Sequence, residues 1–163
     1  MISRKVGGAL VFECQFCDAL EGDPTAIREV HLEREAARRG MDPLVYPLVA
    51  VLEQIPFLRV RDAAAGACED RIPPYIHFHI EERNGTLHQM EHLLHSLEMS
   101  HRRTHRIWTL ELRHAHGELR FALRPRFMKP VGSLDPEEIR EAQQDLRLLA
   151  DRLERDMALS WWS

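Results

Sequence analysis

A chain of 163 residues with 44% hydrophobic and 29% charged content can bury a core of its own, which sets it apart from disordered and fibrous proteins and suits one domain. Its net charge of −4 makes it acidic overall but hides an uneven distribution, and no apolar run approaches the length of a bilayer span. Three cysteines, an odd number, argue against a disulfide framework, and the short apolar stretch 6–12, closing on Glu13, is too little for a secretory signal. The expected location is therefore the cytoplasm.

In chain order, residues 8–14 ("GALVFEC") read as a short strand. Asp23 then makes an N-cap and Pro24 a first helical position, predicting a helix to Arg39 that Gly40 stops. The most apolar stretch is 43–57, where Pro47 opens a short buried helix and Pro56 closes it. Residues 63–74 show no period and read as a loop. From Tyr75 the pattern sharpens: Ile76, Phe78 and Ile80 alternate with His77, His79 and Glu81, as in a half-buried strand.

Asn84-Gly85 marks a turn, and Thr86 with Gln89 forms a capping box for a helix whose apolar stripe is Leu87, Met90, Leu93, Leu94 and Leu97. Trp108, Leu110 and Leu112 alternate in a further strand. His116-Gly117 turns the chain, and Leu119, Phe121 and Leu123 alternate in the next. Asp135-Pro136-Glu137-Glu138 starts a long helix with Ile139, Ala142, Leu146, Leu149, Leu153 and Met157 on one side. This order predicts an α+β fold: a two-layer sandwich of a mainly antiparallel sheet packed by helices. Its C-terminal half resembles a ferredoxin-like arrangement, whereas the first seventy residues do not match the usual lengths of that fold.

Three constellations carry candidate chemistry. On the strand after Tyr75, His77, His79 and Glu81 project from one face, and two histidines with a carboxylate are a recognised ligand set for zinc or iron. Glu111, Arg113, Arg120 and Arg124 are expected on the same face, Glu13 is a further candidate from the first strand, and the apolar 43–58 segment would cover it as a cleft. Arg113, Arg120 and Arg124 make the face a candidate anion site. The ordinary alternative is a polar, solvent-facing or dimer-forming surface.

The second constellation is His88-Gln89-Met90-Glu91-His92. His88, His92 and His95 lie opposite the leucine stripe, and imidazoles four apart reach one metal ion. The pentapeptide H-x-x-E-H resembles the signature of the inverted zincin peptidases. That resemblance, confined to five residues, implies His88 and His92 as zinc ligands, Glu91 as base and an acidic ligand further along the chain. The ordinary reading is a solvated helix face.

The third is Cys14-Gln15-Phe16-Cys17, whose C-x-x-C spacing suits a zinc half-site or a dithiol pair, with Cys68, His31 or a strand histidine to complete it. The same cysteines with Gly22 and Pro24, and His77-Phe78-His79 later, resemble the wording of histidine-triad nucleotide hydrolases. Glu81 stands where that family's third histidine belongs, and the resemblance assigns no residue a role here.

Charge is unevenly spread. Residues 102–129 carry eight basic side chains against two acids, and residues 135–156 carry eight acids against four arginines. Two mutually attracting faces, or a local phosphate- or nucleic-acid-binding strip, fit this pattern. Three functions follow as expectations: a zinc-binding protein, with hydrolysis as one use of the metal; a non-catalytic module binding phosphate, nucleic acid or a protein partner through the basic 102–129 segment; and a structural domain forming a homodimer through its sheet. Specific nucleic-acid binding is not expected.

Overall fold

The structure is a computed structural model and describes residues 2–6, 9–14, 20–21, 23–81, 86–115 and 118–157. The expected turns at Asn84-Gly85 and His116-Gly117, and Cys17, lie outside these residues. Helix starts follow their caps. The Asp23 side chain accepts from the Ala26 N–H at 3.2 Å, Pro24 occupies the first turn, and α1 (Pro24–Arg38) runs until Gly40, whose φ of +63° ends it. The Asp135 N–H donates to Glu138 at 3.0 Å, opening α4 (Pro136–Asp156). Between them α2 (Tyr46–Glu53) is buried from Tyr46 through Leu52, as the apolar stretch requires.

Two antiparallel sheets form. β1 (Ile2–Val6), β2 (Ala9–Glu13) and β3 (Leu20–Glu21) make the first, so Glu13 does not belong to the histidine-bearing sheet. β4 (Leu58–Ala64), β5 (Tyr75–Ile80), β6 (Trp108–Ala115) and β7 (Glu118–Pro125) make the second, in the order β4-β5-β7-β6. The loop expected from Ala63 therefore begins later. β4 escapes the alternation test because its register shifts between Val60 and Asp62, a bulge that places Arg59 and Asp62 out of simple period two.

One face of this sheet, with Leu58, Ile76, Phe78, Trp108 and Leu123, is buried against Leu48, Val51 and Leu52 of α2, Leu93 and Leu97 of α3 (Thr86–Ser100), and Leu146, Leu149 and Leu153 of α4. The result is a mixed α+β fold with helices on one side of the four-stranded sheet. The stripe of α3 is narrower than its leucines suggest, since Leu94 is 47% exposed. The 43–58 segment does not cover the histidines: α2 packs on α4 and β4 in the core that holds Ile76 and Phe78, on the opposite face. Segment β5–α3–β6–β7–α4 lays down adjacent strands β5-β7-β6, as in half of a ferredoxin-like sheet. The remaining position beside β5 is filled by β4, which precedes β5 in the chain.

Acidic α4 does attract part of the basic segment. Arg106 pairs with Glu138 at 3.5 Å and with Glu141, and Lys129 reaches Asp135 at 3.0 Å and Glu138 at 3.3 Å. The fully buried Asp145 accepts from the His105 N–H at 2.7 Å, His105 Nδ1 at 2.9 Å, the Arg106 N–H at 2.9 Å and Trp108 Nε1 at 3.2 Å. That carboxylate closes the turn from α3 into β6. Among the described residues no helix is long and apolar enough to cross a membrane.

Candidate functional site: the open face of the sheet

Antiparallel pairing puts directly opposed residues on one face, so the register defines the uncovered surface. Asp62, His77, Ala122 and Glu111 form one row across the four strands. Arg59 opposes His79, Arg124 opposes Thr109, and Arg113 opposes Arg120. Ala122, small and buried, sits between Arg120 and Arg124 and leaves room for the long side chains around it.

At the centre, Arg124 Nη2 lies 3.0 Å from His77 Nε2, and His77 Nδ1 faces Asp62 Oδ2 at 3.7 Å. A guanidinium only donates, so Nε2 is the acceptor and the neutral ring carries its proton on Nδ1, toward Asp62. Tyr75 donates its hydroxyl to Asp62 Oδ2 at 2.9 Å, its ring lies 4.6 Å from that of His77, and the Arg124 guanidinium stands 5.6 Å above it. Burial and the bond to Asp62 push the Tyr75 phenol up. Burial, and then the nearby Arg113 charge, push Arg124 down. Arg124 Nε is buried and, among the described residues, has no hydrogen-bond partner.

The expected metal set is drawn apart. His77 is held by Arg124, His79 Nδ1 accepts from Arg61 Nε at 2.9 Å, and Glu81 pairs with Arg59 at 3.3 Å. Each donor thus has a cation of its own, which disfavours a second cation among them. Among the described residues, no three or more His, Cys, Asp or Glu side chains form a group able to hold a metal ion. Of the anion candidates, Arg113 and Arg124 share the face closely enough to interact, with Arg113 also bonded to Glu111 at 3.3 Å.

Sequence reading missed Asp62, Tyr75, Arg59 and Arg61. Tyr75 was within reach, since it stands two residues before His77 on the same strand face. The β4 residues were not, because nothing announced that strand.

The other candidates are placed separately. On α3 the exposed His88 and His92 bring their Nε2 atoms to 3.1 Å, with His88 Nδ1 3.7 Å from Glu91. Cys14, fully buried, has its sulfur 3.3 Å from His31 Nδ1, while Cys68 reaches Gln143 at 3.5 Å; Cys14 and Cys68 are free thiols. Of the proposed completions of the C-x-x-C site, His31 is the one beside Cys14. A cavity of 490 Å³ lies among Leu32, Pro43, Leu44 and Pro47, but the arginines on its rim are committed, Arg147 to Glu29 and Arg140 to Glu137.

Burial is the main cause holding both His31 and His77 below the ordinary value of 6.5; Arg124 adds to it at His77, while Glu35 opposes it at His31. When the folded-state pKa lies below the unfolded one, the unfolded chain takes up the proton first. The stability these rings contribute is then complete above 6.5 and is lost as the pH falls below it. Urea titrations from about pH 7.5 to 5.5, above the range where most carboxylates protonate, should show falling stability. The double variant His31→Gln/His77→Gln should flatten that slope; an unchanged slope would assign it to other groups.

No family model matches the chain, and no curated protein or solved structure shows significant similarity to it.

Proposed function

We propose that the protein is a binding module that takes a small anion of the phosphate or carboxylate type on the open face of its four-stranded sheet, against Arg124, Arg113 and His77. The observation that carries this reading is the setting of Arg124. Its charge is partly withdrawn from water and its nearest hydrogen-bond partner is a neutral imidazole. The Arg113 guanidinium acts on it more strongly than the Glu111 carboxylate that opposes it, and among the described residues its Nε has no acceptor. Among the described residues this part-buried cation has no bonded counter-ion, and an anionic ligand supplies both the charge and the acceptor.

Asp62, Glu81 and Glu111 interrupt the cations of the face, which suits one compact anion better than a nucleic-acid strand carrying a charge at every residue. The same charges make the face unlike the apolar interfaces of obligate dimers, so self-association is not the reading we prefer.

Titration with inorganic phosphate at low ionic strength, followed by NMR, tests this. Saturable shifts at His77 and at the Arg124 guanidinium are expected. Arg124→Gln should weaken binding by about 10- to 100-fold, the usual worth of a charge-assisted hydrogen bond. A linear, unsaturable response, or equal affinity in the variant, defeats the proposal. Tight binding of RNA or DNA that falls steeply with salt would assign the face to a nucleic-acid partner instead.

A further inference from the structure

We propose that α3 carries an exchangeable site for a divalent transition metal that prefers imidazole, held by the Nε2 atoms of His88 and His92. The sequence spacing of four places both rings on the helix face away from Leu93 and Leu97, which are in the core. The structure then shows more than proximity. The ring centroids are 4.5 Å apart, the planes are near perpendicular at 82°, and the two Nε2 atoms converge to 3.1 Å. Neutral imidazoles at that distance share one proton between two lone pairs, and a metal ion is the alternative occupant of the same gap.

The distance fits a metal. With metal–nitrogen bonds of about 2.1 Å, a 3.1 Å separation subtends about 95° at the ion, between octahedral and tetrahedral values. His88 turns its other nitrogen toward Glu91, Nδ1 standing 3.7 Å from Oε2. A carboxylate behind the ring is the usual outer partner of a metal-bound histidine, where it orients the ring and raises its basicity. Glu91 is thereby a positioning residue.

His88, Glu91, His92 and His95 together line a shallow concavity of 220 Å³, open to solvent, where water completes the coordination. Two protein ligands and an open surface make the ion exchangeable rather than structural. The sheet histidines offer no equivalent, because each accepts from an arginine. This inference shares no residue with the anion site.

Calorimetric titration of the untagged protein with Zn²⁺ tests it, with Ca²⁺ as the oxygen-preferring control. One Zn²⁺ per chain is expected, with binding weakening on acidification because protons compete for the same nitrogens, and with no uptake of Ca²⁺. His88→Ala and His92→Ala should each lower the affinity by about tenfold at the least, since loss of even an outer partner costs that much. Glu91→Gln, which removes only the outer partner, should lower it by about tenfold, and each histidine variant by more than that. His88 is 74% exposed, so the variants should fold, and unchanged urea midpoints would verify this. In a parallel titration, Co²⁺ should broaden the imidazole signals of His88 and His92 and spare those of His77 and His79. Unaltered Zn²⁺ affinity in the double variant His88→Ala/His92→Ala, equal uptake of Ca²⁺, or broadening at the sheet histidines would overturn the assignment.

Discussion

Replacing Asp145 with alanine should destabilise the protein by about 3–5 kcal/mol, a large part of the 5–15 kcal/mol typical of a domain. The carboxylate is fully buried and receives two backbone N–H groups, an imidazole and an indole. Its removal strands these donors, and each donor left buried without a partner costs about 1–3 kcal/mol. The part-buried N–H groups of His105 and Arg106 recover some of that loss from water, whereas Trp108 Nε1, in the core, does not. Asp145→Asn keeps the shape but turns one acceptor into a donor facing donors, and should cost roughly half as much. Urea unfolding followed by tryptophan fluorescence measures both. A loss under about 1 kcal/mol for the alanine variant would mean that the turn into β6 holds without its carboxylate.

Gly66→Ala should cost about 3 kcal/mol or more. The residue has φ of +80°, and a Cβ built there would meet the Pro73 carbonyl carbon and the Pro74 nitrogen at 2.8 Å, with the Ile72 oxygen closer still. These are backbone atoms that cannot step aside. Ala67 and Ile72 bond to each other in both directions at 2.8 and 3.0 Å, and Gln143 of α4 ties down the carbonyls of Ala65 and Gly66. Gly40 is the control: its φ is +63°, but an added Cβ meets nothing within 4 Å. Gly40→Ala should therefore cost only the conformational penalty, about 1 kcal/mol. Similar losses at both positions would show that the close approach at Gly66 relaxes.

What could be read in the sequence follows from how local its cause is. The caps at Asp23 and Asp135 and the apolar period of α4 are decided within one or two turns, and α1 and α4 lie close to where they are expected. The alternation in β5 correctly separated Ile76 and Phe78 from His77 and His79. Asp145 was hidden among eight acids that read as a solvated face. Its one signal was position, since it lies three residues after Ala142 and four before Leu149, on the buried stripe. Alternation placed Arg124 on the histidine face, but its bond to His77 and the partners from β4 could not be read. A lone imidazole and one beside a guanidinium look alike in sequence, and Asp62 and Arg61 reach β5 only through the pairing of a strand that is itself concealed by a bulge.

That bulge has a bearing on how the molecule meets its own kind in concentrated solution. A four-stranded sheet that does not close leaves two outer margins, here β4 and β6. Unpaired amides along such margins are templates on which another chain can add a strand. On β4 the irregular register breaks the even ladder a newcomer needs, and Arg59, Arg61 and Asp62 add charge along it. β6 has no irregularity in its pairing with β7, and Leu112 on it is 61% exposed, with Glu111 and Arg113 as its flanking charges. The two margins are thus unequally guarded: on β6, Glu111 and Arg113 are the charges beside Leu112 that oppose the addition of another strand.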